Sequence, residues 1–378
     1  MKIVPQKSSL IQQLPRAGIS LMILLCSMLT YSGCSSAKNY PPGTLPYKFH
    51  VNNNQPLLAA VFDGFGSRIG NYYSLPAGTK DTVLPIGLKS RVMNLYLYDP
   101  SLELVGADSA SGTSLGELRT PTDIAPAFSY TGVFNRIYVA DKANSRLVQY
   151  SKKLIPLQYF KFNNFIGISA VREIDPDNLI LFSETERAIA LAAPTGEVKV
   201  NRSRINGKSL GASVRLETTE NKNILITDPD NGRVVLLSAR FEPIAEYTSA
   251  GAAMLSEPVH SAVVNKQLFV LDRGRSALYV LSRSGALVAE SIRNEFRECS
   301  FILPFDCGIM VFSETGNVLM FTAELDYLKS VQLERSYSAG YVTDGRRILL
   351  VSRNDHGIYE YRCNLRKTGE RWGEQLPK

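Results

Sequence analysis

Six stretches of this chain repeat one pattern: a short apolar run, a polar residue that ends it, a tight polar break and a second apolar run. "RIYVADKANSRLVQYS" (136–151), "NILITDPDNGRVVLLSARFEPI" from 223 and "QLFVLDRGRSALYVLSRSGALV" from 267 are the plainest copies, with weaker ones from 178, 308 and 347. Aligned on the residue that ends the first run, they fall at Asp141, Ser183, Asp228, Asp272, Ser313 and Ser352, spaced by 42, 45, 44, 41 and 39 residues. A period near forty, with several short strands in each unit, marks an all-β chain that folds as a β-propeller of four-stranded blades. The unit around Asp228 divides into four strands, "ASVRLET", "NILITD", "RVVLLSA" and "PIAEYTS", separated by turn-like "TENK", "PDNG" and "RFE". The apolar runs are nearly continuous, as expected of strands covered on both faces by neighbouring sheets.

Two of the units carry a D-x-x-N-x-R pattern, Asp141/Asn144/Arg146 and Asp228/Asn231/Arg233; Asp63/Gly66/Arg68 is a partial copy, and Asp272 keeps only the acid. In this respect residues 56–366 resemble the NHL-repeat family of propellers. The chemistry of the pattern is structural. The Asp can accept from backbone N–H groups of the turn that follows it. Asn tolerates the left-handed conformation such a turn needs, and Arg can pair bidentately with an Asp of the same or an adjacent blade. A motif built several times over is not an active site, which is built once. Six units span roughly 121–366. "LYLYDPSLELVGAD" from 95 aligns with "LYVLSRSGALVAES" from 278 as a third and fourth strand, so the N-terminal region is expected to supply a seventh blade. Six blades follow if these strands only complete the last one, and eight if "VFDGFGSR" opens its own unit.

The N-terminus predicts export. A basic region free of acids to Arg16 precedes the apolar "ISLMILLCSMLT" (19–30) and a run of small residues. That core is too short for a mature membrane span and suits a signal segment. "YSGC" (31–34) resembles the bacterial lipobox in Ser32, Gly33 and Cys34, departing at Tyr31, where Leu is usual. The resemblance implies a signal peptide over 1–33 and lipid on Cys34; cleavage without lipidation, giving a secreted or periplasmic protein, is the other reading. Ser35 after the Cys implies the outer membrane. Residues 34–55, rich in Pro and Asn, read as a flexible tether, 56–366 as the propeller and 367–378 as a C-terminal tail. The 378 residues carry a net charge of +7, but Lys2, Lys7 and Arg16 fall in the signal; the remainder has 39 basic and 35 acidic residues. That small surplus, with no run of Lys and Arg among aromatics, argues against nucleic acid as a partner.

Candidate chemistry is thin. Cys299 and Cys307 fall on one expected hairpin and form a possible disulfide in an exported chain; the alternative is buried, inert thiols at Cys299, Cys307 and Cys363. There is no CxxC, no G-x-S-x-G elbow and no glycine-rich loop leading into a helix. Of the three histidines, His50 lies in the tether, His356 in a turn, and His260 opens an inner strand whose side chains can face the central channel. Some NHL-type propellers are lyases or lactonases that hold a metal on the channel axis with several converging His, Asp or Glu. Three histidines are too few for a His-rich site, and neither catalytic nor metal-binding residues are assigned, nor any cofactor. The sequence therefore favours a lipid-anchored envelope propeller that binds a protein or an envelope polymer without catalysis. The alternative is a metal-dependent lyase or lactonase.

Overall fold

The computed structural model describes residues 45–63, 67–86, 93–306, 308–343 and 346–375. The signal segment and Cys34 lie outside them. The described chain is built of strands, with only short 3-10 turns as helix.

Five consecutive units each form a four-stranded antiparallel sheet in simple sequential order. Their inner strands are Pro121–Phe128, Ile168–Asp175, Arg215–Thr218, Pro258–Val264 and Cys299–Phe305, opening blades one to five. A sixth four-strand unit sits inside a larger sheet. Ala339–Val342 pairs with Arg347–Ser352, which pairs with the first half of Gly357–Gln375, and the outer strand is Met93–Ser109 from the other end of the chain. The arrangement is a propeller with five free-standing blades and a sixth completed by the N-terminal region; the expected seventh blade is not formed. The six alignment residues each end the second strand of a blade, from Asp141 to Ser352.

Apolar packing follows from this geometry. Each junction between neighbouring blades has its own buried cluster. Ala125, Leu147, Val171 and Leu181 join blades one and two; Ile180, Phe182, Ile226 and Val235 join two and three. Val270 and Leu281 meet Val234 between three and four, Phe269 and Leu271 meet Ile309 and Phe321 between four and five, and Phe301 and Phe312 meet Ile348 and Leu350 between five and six. Ile124, Val139, Leu349 and Val351 close the ring between six and one. Middle strands are therefore buried throughout, as in Ile224–Asp228 and Arg233–Leu237, while outer strands such as Leu287–Ile292 are largely exposed. Each fully buried Leu, Ile or Val contributes about 1.5–3 kcal/mol.

The seventh-blade expectation failed at Asp99-Pro100-Ser101. Alignment with "SRSG" makes this a turn, but Met93–Ser109 runs straight through it as one strand of 17 residues. Long pairing with Gly357–Gln375 overrides the local turn signal, and Pro100 lies opposite Leu365. The two strands extend beyond the ring and join a second sheet, in the order Arg68–Leu75, Leu57–Asp63, Met93–Ser109, Gly357–Gln375, Leu45–His50, Asp81–Ile86. This sheet has its own core of Tyr47, Phe49, Ala59, Val61, Leu84 and Leu95. Two expected boundaries shift as a result. Residues 45–50, assigned to the tether, are a strand in which Tyr47 and Phe49 are buried. Residues 367–375, assigned to the tail, continue the strand that pairs with both Met93–Ser109 and Leu45–His50. Asp63 and Arg68 also belong here: Asp63 ends one strand and accepts from the Ser67 amide at 2.8 Å, while Arg68 lies over the Tyr72 ring. They form a hairpin of the second sheet, not a propeller repeat.

The Asp–Asn–Arg nodes differ from expectation in detail. Asp141 uses Oδ1 to accept from the Arg119 and Thr120 amides, which precede its blade rather than follow it. Its Oδ2 accepts from Asn144 Nδ2 (2.6 Å) and Arg146 Nε (2.9 Å). Arg146 sends its other N–H groups to the Thr113, Ser114 and Glu117 carbonyls, and Asn144 donates to Gly112 O. The node thus clamps the segment that enters the blade. Asp228 repeats this, taking Gly211 N, Asn231 Nδ2 and Arg233 Nε, while Arg233 reaches Ile205 O. Each Arg pairs through Nε alone with the Asp of its own blade; Arg146 spends its terminal N–H groups on carbonyls, while Arg233 NH1 reaches Ile205 O and lies 3.6 Å from Glu246 Oε1. The left-handed residue is the one after Asn: Ser145 and Gly232, and Ser276 at the same place after Asp272. Asn itself sits in the 3-10 turn. Glycine suits position 232, where a Cβ would lie 2.9 Å from Leu255 O. Asp272, lacking Asn and Arg partners, accepts from the Ser256, Glu257 and Arg275 amides.

Cys299 carries a buried thiol, and Cys307, the other half of the possible disulfide, lies outside the described residues. Cys299 lies opposite Ser313 at the open end of its hairpin. Burial pushes the Cys299 and Cys363 thiols up to about 12, so both are inert at neutral pH.

Asp228 and Arg233 have no solvent exposure. Asp228→Ala should lower unfolding free energy by about 3–5 kcal/mol, since it strands a buried cation. Asp228→Ala/Arg233→Met should recover most of that loss. Urea midpoints of the single and double variants measure both.

Candidate functional site: the ring throat and its mouth

Several inner strands carry charge toward the axis. Arg172 of blade two donates NH1 to Asp123 Oδ2 of blade one (2.6 Å), and NH2 and Nε to the two oxygens of Glu217 of blade three (2.5 and 3.2 Å). Asp123 also accepts from the Val171 amide at 2.9 Å. Arg172 and Asp123 are almost fully buried. Burial alone disfavours the Arg172 charge, but the Asp123 and Glu217 carboxylates outweigh it and hold its pKa above the ordinary value. One guanidinium thus ties three successive blades together across the throat.

Arg215, two residues before Glu217, crosses the ring. Its NH2 donates to Ser338 O at the entrance to blade six (2.9 Å) and its NH1 to Thr122 O of blade one (3.4 Å). It makes no ion pair among the described residues. Burial draws its pKa down to about 10, with Arg353 and Arg172 pushing the same way and Asp123 opposing. His260 of blade four is buried beside them, 3.6 Å from Glu217 Oε1, and its Nδ1 has no partner. Burial, then the charges of Arg215 and Arg172, hold its pKa well below the usual range, so it is neutral at pH 7. Tyr341 of blade six completes the wall, its hydroxyl raised to about 12 by burial and by Glu217.

Above the throat lies a polar cavity of about 280 Å³. The residue that follows each alignment position lines it: Lys142, Glu184, Pro229, Arg273, Glu314 and Arg353. One structural position, repeated around the ring, therefore forms the mouth. Neighbours pair where they can. Lys142 Nζ lies 2.6 Å from Glu184, and Arg273 bridges Glu314 (3.1 Å) and Glu257 (2.5 Å). Asp230, beside Pro229, accepts from the Ala212 amide. Arg353 is exposed and makes no hydrogen bond or ion pair among the described residues. A second cavity, of about 320 Å³, shares Arg215, Glu314 and Arg353 and adds Ser336, Ser338 and Asn354.

The sequence reading placed His260 correctly on an inner strand but missed the network around it. A signal was present: Arg172, Glu217 and His260 are polar residues in inner strands at spacings of 45 and 43, the repeat period itself. Of the motif residues, Asp141, Asn144, Arg146, Asp228, Asn231, Arg233 and Asp272 stand at the blade entrances and donate nothing to the cavity beyond positioning its rim. His50 is far from the axis, pairing with Asp81 in the second sheet. His356 occupies a left-handed turn residue. Among the described residues no three His, Cys, Asp or Glu side chains converge as a metal site.

No family model matches this chain, and no curated protein does either. Solved structures do. Virginiamycin B lyase from Staphylococcus aureus is 11% identical with a TM-score of 0.50, covering 70% of this chain and 99% of its own. A gluconolactonase from Xanthomonas campestris is 15% identical with a TM-score of 0.52, covering 69% and 99%. BamB from Moraxella catarrhalis superposes less well, with a TM-score of 0.44 at 12% identity over 69% and 98%. The chain shares the β-propeller fold with the lyase and the gluconolactonase.

On another face, Glu173 at the far end of the blade-two inner strand borders a cavity with Tyr130 and Glu220. Burial raises its pKa to about 7, against the hydrogen bond it accepts from the Phe128 amide. The folded state therefore holds this proton more tightly than the unfolded chain. The stabilisation is present in full below about pH 4.5 and is lost as pH rises through 7. Glu173→Gln, which keeps the acceptor, should be neutral at pH 4.5 and more stable than wild type by about 1–3 kcal/mol at pH 8. Denaturant titrations at the two pH values test this.

Proposed function

We propose that this chain is a lipid-anchored β-propeller of the bacterial cell envelope, held on the outer membrane through Cys34, that binds a protein or envelope polymer at the mouth of its ring and catalyses no reaction. The reading rests on the throat. Its two carboxylates, Asp123 and Glu217, are engaged by Arg172, and the axis is crossed by Arg215. Such a plug gives a rigid ring whose exposed chemistry lies in the loops of the mouth, as in folds where a fixed scaffold presents a variable surface. The lipobox-like "YSGC" supports the anchor.

The alternative, a metal-dependent lyase or lactonase, draws on the kinds of enzyme named among the structural neighbours and on His260, whose Nδ1 is free on the axis. At identities of 11% and 15% those neighbours bear on the fold alone. A divalent cation at the throat would have to share it with Arg172 and Arg215, whose charges repel it.

Two measurements test the proposal. The mature protein from membranes should carry a diacylglyceryl or triacyl mass on Cys34, and Cys34→Ala should leave the membrane fraction. Adding calcium, magnesium or manganese should not raise the melting temperature of the wild type. A rise of several degrees with one of these ions, lost in His260→Ala, would instead favour the enzyme.

A further inference from the structure

The six mouth positions form a charge series around the ring: Lys142, Glu184, Pro229, Arg273, Glu314, Arg353. Opposite charges on adjacent blades can neutralise each other, and two pairs do so, Lys142 with Glu184 and Arg273 with Glu314. Pro229 removes a partner from blade three. Arg353 is left over, because its acidic neighbour Glu314 already pairs with Arg273.

Directly below, Asp123, Glu217, Arg172 and Arg215 sum to zero. The two acids, however, contact Arg172, so Arg215 is held by carbonyl oxygens alone. Arg215 and Arg353 line both cavities and lie close enough that one charge opposes the other. Two cations that repel one another, without a bound counter-charge, are stabilised by an anion between them. The two cavities are lined by four basic residues (Lys142, Arg215, Arg273, Arg353) and four acidic ones (Glu184, Asp230, Glu257, Glu314), so the charge is balanced overall while Arg215 and Arg353 make no ion pair among the described residues. Glu257, Glu314, Glu184 and Asp230 stand around these two cations and repel a multiply charged anion, while Ser300, Ser336 and Asn354 offer polar contacts for an uncharged body. Planar guanidinium groups match a carboxylate.

We propose that the mouth is a binding site for one carboxylate group, held between Arg215 and Arg353, on a ligand whose remainder is polar and uncharged, such as an N-acylated amino acid or the C-terminal end of a peptide. This deepens the binding reading of the same ring face.

The test is titration of the purified full-length protein with N-acetylglycine, followed by calorimetry and by NMR of the ligand, with N-acetylglycinamide as the uncharged control. N-acetylglycine should saturate one site, and the amide should bind at least about tenfold more weakly. Arg353→Gln should weaken N-acetylglycine by a similar factor with its melting temperature not lowered, since Arg353 makes no hydrogen bond or ion pair among the described residues; Arg353→Lys should retain part of the affinity. Equal binding of acid and amide, absence of saturation, or an unchanged affinity in Arg353→Gln would overturn the proposal. Tighter binding of inorganic phosphate than of N-acetylglycine would overturn the single-carboxylate assignment. Release of acetate and glycine during the titration would overturn the non-catalytic reading instead, so the two failures are distinct. If a peptide is the natural source, acetyl-Ala-Ala should bind more tightly than N-acetylglycine; equal affinity assigns the site to a small carboxylate, which upholds the proposal in its other form.

Discussion

The antiparallel pairing of Met93–Ser109 with Gly357–Gln375 is the constraint on which the rest of the molecule depends. A propeller blade is stable only when both faces are covered, so a ring with a gap would expose two apolar sheet faces. Here the first and last regions of the chain supply one blade together. The cluster joining Ile124 and Val139 to Leu349 and Val351 packs that blade against blade one and closes the ring. The same ribbon continues into the second sheet, so its core of Tyr47, Phe49 and Leu95 is coupled to ring closure. Bringing chain ends together is entropically unfavourable, but the penalty grows only slowly with loop length, and two long strands provide many hydrogen bonds against it.

Inside the ring, polar residues do what apolar packing cannot. Apolar contacts between blades are non-directional, and sheets of similar shape could slide against each other. The nodes at Asp141 and Asp228 remove that freedom by tying each blade to its entering segment through a buried ion pair and several carbonyls. Arg172 does the same between blades one, two and three at the axis. Blades two and five carry Ser183 and Ser313 at this position: Ser183 donates to Ile166 O of its entering segment and accepts from the Glu186 amide, and Ser313 accepts from the Thr315 and Asn317 amides.

The mouth shows how a repeat can produce function. One position after each alignment residue is placed at the same height around the axis, so its six occupants face one cavity. Evolution of one side chain there changes the site without altering the blades. Charge pairing between neighbours leaves Arg353 without an ion pair among the described residues, an asymmetry among otherwise equivalent positions.

Local sequence was sufficient for the strands, their turns and the period, because burial on both faces demands long apolar runs and each break needs turn residues. It also pointed to the contacts inside each Asp–Asn–Arg node, whose members lie within five residues of one another, but not to the entering segments that the nodes hold. It misjudged Asp99-Pro100-Ser101, where a turn signal is overridden by pairing across more than two hundred and fifty residues of chain. It missed Arg172, Arg215 and Glu217 as a group, because which inner-strand residues face the axis depends on register. The period and the blade were therefore written in the sequence by itself, through local burial and turn chemistry. The number of blades, the second sheet, the charge-filled throat and the unpaired Arg353 were decided only by tertiary structure, because each depends on contacts between segments that become neighbours when the ring closes.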